Sequence, residues 1–353
     1  ILYYAFTINA DGFFWSFDEY PDGSQDFASN ECEVLYMNSA QFDPGGSYLI
    51  SVQAHELQHM IHWLADDDES TWVNEGMSEL AMWLYGHPDD VIQFPNAPDN
   101  SLTVWNSNFA DYVKVYLWSL YFYEQYGGQA TIRNLMSQPA NSTAGVQAAM
   151  TAMGYSTTFG QMVADWTTAN YLDDPSLAGG KYNYVGEDIP PFAAVTRSTY
   201  PVPPTNAAVS HFAADYVKLI NGQPQQLNFN GGDTADWSAR VIKYLAGAPL
   251  SVEDVALNAA DDGSLVLSGF GTSYDQVVLA VANISATGLT SYQYGTEVPA
   301  AVQDPGALAT GIQLVGAGPN PFGGETAMRL SLGRPGPVSA TVHDAAGVLV
   351  RLL

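Results

Sequence analysis

The sequence predicts an α+β fold: a small N-terminal mixed sheet, a helical subdomain, then a β-sandwich and a shorter β piece. Three observations carry this expectation. Aromatic-rich alternating segments open the chain, apolar residues recur at helical spacing from about residue 50 to 171, and beyond residue 205 short strands alternate with turn residues. The expected domains are residues 1–200, 205–298 and 310–353, divided at Pro- and Gly-rich stretches.

Residues 1–20 read as two short strands joined in a hairpin at Asp11-Gly12. Glu33 to Asn38 reads as a further strand, followed by the turn Asp43-Pro44-Gly45-Gly46. Ile50 to Leu64 reads as a helix with Val52, His55, Leu57, His59, Met60, Ile61 and Leu64 on its apolar or site-facing side. The run Asp66-Asp67-Asp68-Glu69-Ser70 breaks it and reads as a solvated cap. A second helix, Trp72 to Tyr85, is stopped by Gly86 and Pro88.

The chemistry concentrates in these two helices. His55 and His59 stand four positions apart, so their imidazoles share a face and can point at one atom. The short connection makes the helices antiparallel neighbours. At ~1.5 Å rise per residue, Glu75, early in the second helix, comes level with His59, late in the first. Two imidazoles and a carboxylate form a three-ligand site that suits Zn2+ and leaves a fourth position for water. Glu56, next to the first His, reaches such a water without binding the ion, which is the position of a general base. Glu79, one turn beyond Glu75, comes level with His55 and is expected to accept a hydrogen bond from its free ring nitrogen. Asn74, beside Glu75, is the other expected supporting group.

A polar, Pro- and Asn-rich loop follows to about Asn108 and is expected to wall a cleft. Asp111 to Tyr126 is a long apolar helix with Tyr112 and Tyr116 on one face. A phenol is a suitable donor to a tetrahedral oxyanion, although a chain with 21 Tyr can also place both in its core. Ala130 to Met136, Thr143 to Met153 and Phe159 to Tyr171 continue as helices, the last capped from Ser156 to Thr158. Asp173 to Thr205 is a Pro- and Gly-rich linker or packed connector. Ala214 to Leu219, Gln226 to Phe229, Trp237 to Tyr244, Ser264 to Ser268, Val277 to Val281 and Ser291 to Gly295 read as the strands of the sandwich.

The phrases Gln53-Ala54-His55-Glu56-Leu57-Gln58-His59-Met60-Ile61 and Thr71-Trp72-Val73-Asn74-Glu75-Gly76-Met77-Ser78-Glu79-Leu80-Ala81 resemble the gluzincin metallopeptidases of the thermolysin-like clan. The likeness is greatest to the hyicolysin-type secreted peptidases and covers about residues 30–175. It implies a zincin catalytic domain acting on polypeptides, with His55, His59 and Glu75 on zinc and Glu56 as the base. It also implies that the Glu33 to Asn38 strand borders the cleft and pairs with substrate backbone, and that a Tyr of the third long helix steadies the oxyanion. Tyr112-Val113-Lys114-Val115 keeps part of the Y-x-K-G phrase of related enzymes and lacks its Gly, so Tyr112 and Tyr116 both remain candidates. Farther on, Pro319-Asn320-Pro321-Phe322 and Val342-His343-Asp344-Ala345-Ala346-Gly347 resemble Ig-like C-terminal sorting domains of secreted bacterial proteins. That likeness implies a truncated sorting domain, a secreted or cell-surface location and export or attachment machinery as a partner.

Other readings are weighed against these. Ten Lys plus Arg against 37 Asp plus Glu, a net charge of −27, disfavour nucleic acid as a partner. No apolar run reaches the ~20 residues of a membrane span. Ile1 to Phe6 reads like the middle of a sheet, as in a mature or partial chain. The single cysteine, Cys32, forms no intrachain disulfide and is expected to be an inert buried residue. Acidity could serve Ca2+, but Asp66 to Glu69 has no EF-hand spacing. The metzincin pattern needs Gly and His where the chain has His62 and Ala65, so His62 is expected beside the site or at its solvent edge. No G-x-S-x-G phrase or Cys/His pair points to a covalent nucleophile. An aminopeptidase of the same clan would carry a G-x-M-E-N phrase ahead of the first helix, which Leu35-Tyr36-Met37-Asn38 does not supply. A surface adhesion or scaffold protein with a structural metal is the alternative from another class, and a fourth protein ligand would mark it.

Overall fold

The computed structural model describes residues 1–24, 26–40 and 42–299, together with the backbone of four strands between Ile312 and Leu352. Its two compact units are Ile1–Glu297 and Val298–Leu353. In the first, β1 (Leu2–Tyr4), β2 (Gly12–Phe14) and β3 (Leu35–Asn38) form a sheet in the order β1-β3-β2. β1 runs parallel to β3 and β2 antiparallel to it, so the expected hairpin at Asp11-Gly12 does not form. Side-chain chemistry explains the difference. All four residues of β3 are buried, which suits a central strand. The Asn38 carboxamide, which donates to Ala10 O and accepts from Phe6 N and Ala40 N, pins the loop that separates β1 from β2.

Six helices follow: α1 (Ser47–Ala65), α2 (Thr71–Tyr85), α3 (Phe109–Gln125), α4 (Gln129–Leu135), α5 (Ser142–Ala152) and α6 (Phe159–Leu172). Their ends are where local chemistry puts them. Gly86 closes α2 at φ +98°, a conformation only glycine adopts cheaply. Asn108 with Asp111, and Thr158 with Gln161, form capping boxes at the starts of α3 and α6. α1 departs from its expected orientation: Leu57, Ile61 and Leu64 face outward at 42%, 50% and 81% exposure. Its buried side instead carries Leu49, Val52, His55, Glu56, Gln58 and His62. Cys32 is another correction, exposed in the loop ahead of β3 rather than buried.

α3 runs through the middle of the helical subdomain, with Val113 to Phe122 all buried. α2 lies against it closely enough that a Cβ on Gly76 would stand 2.5 Å from Ser119 Oγ. α3 also buries a charge pair. Lys114 Nζ bonds Asp111 Oδ1 at 2.9 Å, Val104 O at 2.7 Å and Asn100 Oδ1 at 3.1 Å, and the pair holds the 97–108 loop to the helix.

The sandwich packs the sheet β10 (Asp262–Leu267), β7 (Gln225–Gly231), β12 (Leu289–Glu297), β5 (Thr205–Ser210) on a second sheet. The second sheet is β4 (Val195–Arg197), β6 (Ala213–Ile220), β11 (Gln276–Asn283), β8 (Trp237–Leu245), β9 (Ala248–Asp254). β4 lies inside the expected connector and pairs parallel to β6. The connector is packed, with Tyr182, Tyr184 and Phe192 buried. One apolar core joins α3 and α6 to Tyr216, Ile242, Val278 and Ala280 of the second sheet. Arg240 on β8 reinforces the contact, bonding Asp165 at 2.8 Å and Ala164 O at 2.9 Å. In the second unit β13 (Ile312–Gly318) pairs with β14 (Ala327–Leu332), and β15 (Thr341–His343) with β16 (Leu349–Leu352). The Pro319 to Phe322 phrase and Asp344 to Gly347 lie outside the described residues. No helix among the described residues is long and apolar enough to cross a membrane.

Removing one partner of a buried ion pair strands the other charge and costs roughly 3–5 kcal/mol. Lys114→Met is accordingly expected to lower the unfolding free energy, extrapolated from urea denaturation, by that amount. The double change Asp111→Asn/Lys114→Met is expected to recover part of the loss, and an additive double mutant would contradict the pairing.

Candidate metal centre

α1 and α2 are antiparallel, and the short Asp66 to Ser70 connection holds their facing sides in register. The register brings three ligand atoms together. His55 Nε2 lies 3.0 Å from His59 Nε2 and 3.3 Å from Glu75 Oε2, and His59 Nε2 lies 3.6 Å from the same oxygen. Ligands about 2.0–2.1 Å from a tetrahedral zinc ion stand about 3.3 Å apart, which is the middle of that range. Glu75 Oε2 is buried and has no hydrogen-bond partner, although Glu75 faces two rings. The donor set therefore fits a zinc ion, and among the described residues no fourth His, Cys or carboxylate joins this cluster.

The opposite ring nitrogens are held from behind. His55 Nδ1 lies 3.1 Å from Glu79 Oε1, and His59 Nδ1 lies 2.5 Å from Asn74 Oδ1. Each carboxylate or carboxamide oxygen accepts the Nδ1 proton, which leaves both Nε2 lone pairs directed inward. Ser78, one turn after Asn74, stands 3.1 Å from His59 Nδ1 and donates to Gln58 Oε1 at 2.5 Å. Sequence reasoning missed Ser78 and Gln58; the i, i+4 spacing of Asn74 and Ser78 was the available signal. Burial disfavours a charged His55, but Glu75 and Glu79 outweigh it and shift the imidazole well upward. Burial likewise raises the Glu75 carboxyl, and the two imidazoles overcome this and hold it at about 2.

Glu56 is 6% exposed, and burial pushes its carboxyl up against the opposing pull of His55 and His59. Its Oε2 accepts from Phe14 N at 2.9 Å, which ties β2 to the Glu56 face of α1, while Leu35 and Met37 of β3 pack on Leu49 and Val52. This corrects the expected substrate strand. β3 is paired on both sides, whereas β2 is an edge strand whose outward Phe14 N–H is taken by Glu56. Gly12 permits the approach: a Cβ there would meet Val52 Cγ1 at 2.9 Å and Glu56 Cγ at 3.1 Å.

The resulting cleft, about 360 Å³, is lined by Asp11, Gly12, Tyr48, His55, Glu56, Glu79, Asp89 and Tyr112 among others. The Tyr112 ring is 6.3 Å from that of His55 and 4.8 Å from Trp105. Burial, then the charges of Glu75 and Glu79, raise its hydroxyl pKa and keep it a proton donor. Tyr116 is fully buried and donates to Glu187 Oε2 at 2.6 Å, away from the cleft residues. His62 is fully buried rather than at a solvent edge, and it connects to His59 through Gln58 and Ser78. Asp89, a cleft residue sequence reasoning did not single out, is pushed up to about 7 by burial and by the charge of Glu79. His87 is half-buried against Tyr48, and His211 is 3.2 Å from Thr103 Oγ1.

No family model matches the chain, and no curated protein does either. Among solved structures, the β-sandwich is distantly similar to the pre-peptidase C-terminal domain of collagenase from Bacillus anthracis: TM-score 0.24, 7% identity, 31% of this chain and 100% of that one. The Yersinia pseudotuberculosis-derived mitogen aligns at TM-score 0.22 and 12% identity, over 30% of this chain and 92% of its own. PliG of Aeromonas hydrophila, a periplasmic lysozyme inhibitor of g-type lysozyme, aligns at TM-score 0.22 and 7% identity, over 30% and 97%.

A partner that orients a metal-bound imidazole is typically worth 10–100-fold in affinity. Glu79→Gln is expected to weaken zinc binding by about that factor in a chelator competition. An unchanged affinity would mean that Glu79 does not orient His55.

Proposed function

We propose that the chain is a zinc-dependent endopeptidase of gluzincin type that acts outside the cytoplasm. The observation that carries this is the convergence of His55 Nε2, His59 Nε2 and Glu75 Oε2 within 3.6 Å of one another, with Glu56 beside them at the wall of a cleft. His55, His59 and Glu75 would hold the ion, and Asn74 and Glu79 would keep the two rings aimed. A bound zinc ion would supply Lewis acidity, polarising a peptide carbonyl and making water more acidic. Glu56 takes the proton from the attacking water and delivers it to the leaving amine, a task its raised proton affinity suits. The Tyr112 hydroxyl, on the far wall, donates to the carbonyl oxygen as charge builds there. The outer edge of β2 offers the peptide groups of Gly12 to an extended substrate, since the alternation of an antiparallel ladder turns every second residue away from β3.

Asp11 and Asp89 in the same cleft support a second reading, an aminopeptidase that holds the substrate α-ammonium. The products separate the two. An endopeptidase cuts an unstructured protein such as casein at internal bonds and cleaves N-terminally blocked peptides, whereas an aminopeptidase releases single residues and needs a free amine.

The expected result is casein hydrolysis that a chelator abolishes and zinc restores. Glu56→Gln is expected to retain zinc while turnover falls by about 10²–10⁴-fold. A zinc-loaded Glu56→Gln protein of near-normal rate would remove Glu56 from the chemistry.

A further inference from the structure

α1 carries a second set of metal-ligating side chains one turn beyond the triad. His62 on α1, Asp66 at its C-cap and Glu69 just before α2 each offer a ligand atom, and these atoms lie within 4.8 Å of one another. Three buried atoms here have no hydrogen-bond partner: His62 Nε2, Asp66 Oδ2 and Glu69 Oε2. Leaving one such group unsatisfied is costly, and three on neighbouring residues call for a common partner. His62 is 0% exposed and Glu69 9%.

We infer that His62, Asp66 and Glu69 form a second divalent-cation site, separate from the triad and independent of the proposed peptidase activity. The neighbouring contacts are those of a built site. Glu69 Oε1 is fixed by the amides of Ser70 at 2.5 Å and Ser142 at 2.7 Å, so its second oxygen is the one left for a ligand. Gln58 Nε2 lies 3.4 Å from His62 Nδ1, and exchanging the carboxamide's oxygen and nitrogen lets it accept the Nδ1 proton and leaves Nε2 for the cation. Asp66 borders a surface cavity of about 470 Å³, also lined by Trp63, Asp68 and Pro139, through which an ion can enter. No basic side chain neutralises the carboxylates: the Lys and Arg ion pairs among the described residues are at Asp111, Asp165, Asp254 and Glu253.

One imidazole with two carboxylates favours a transition ion such as Zn2+ over Ca2+, which takes oxygen ligands. The site would join the end of α1, the start of α2 and, through Ser142, the start of α5. Its role is structural, since a cation there binds the folded chain and not the unfolded one.

Equilibrium dialysis of the full chain against Zn2+ with metal analysis tests this. The wild type is expected to bind two equivalents, Asp66→Asn/Glu69→Gln one, His55→Ala/Glu75→Gln one, and the combined variant none. If the triad binds no ion, His55→Ala/Glu75→Gln leaves the count unchanged while Asp66→Asn/Glu69→Gln still lowers it, which keeps the two assignments apart. A wild-type count that Asp66→Asn/Glu69→Gln does not lower overturns the site. Anomalous diffraction at the zinc edge from wild-type crystals needs no variant to fold: a peak between His62 and Glu69 supports the site, and its absence at saturating zinc overturns it. Calcium retained there in preference to zinc would overturn the donor-set argument.

Discussion

The α1–α2 hairpin gathers three rings and five carboxylates within a few turns: His55, His62, Glu56, Glu69 and Glu79 are buried, and His59, Asp66 and Glu75 half-buried. Desolvating that many ionisable groups is expensive unless each finds an opposite charge, a hydrogen bond or a cation. The rest of the unit is arranged around this demand. Gly76 lets α2 sit tightly on α3, Gly12 lets β2 press on Glu56, and Asn74, Ser78 and Gln58 steer the rings from behind.

The same demand explains what could and could not be read from the residues. Helix extents were legible because their signals are local: Gly86, the Asn108 and Thr158 boxes, and periodic apolar positions put all six helices within a few residues of their observed bounds. The triad was legible because i, i+4 spacing and an antiparallel hairpin are simple geometry. The buried face of α1 was not. Apolar periodicity assigns Leu57, Ile61 and Leu64 to the inside, yet polar groups with partners on α2 took that place and turned these three outward. In the acidic run Asp67 and Asp68 are solvated as expected, and Glu69 is not, because the fold brings Ser142 beside it.

Strand pairing was hidden for a different reason. β3 and β2 are too short for alternation to say which is central, and the deciding contacts, Asn38 with Ala10 and Glu56 with Phe14, span 28 and 42 positions. The sandwich strands were visible from their alternation except β4, β5 and β9, which are short or border Pro- and Gly-rich segments. Tyr112 and Tyr116 share a helical face, and only packing separates them, one beside His55 and the other bonded to Glu187.

The apolar core that runs from α3 and α6 into β6, β8 and β11 has a consequence for modularity. Cutting the chain at its Pro-rich connector would not liberate an intact helical half, because the cut would lay bare Trp166, Phe159 and their neighbours and remove Arg240 from Asp165. The sandwich is thus less an appendage than a wall of the same building. A lineage wishing to swap it would have to re-engineer the outer surface of α6 in the same step.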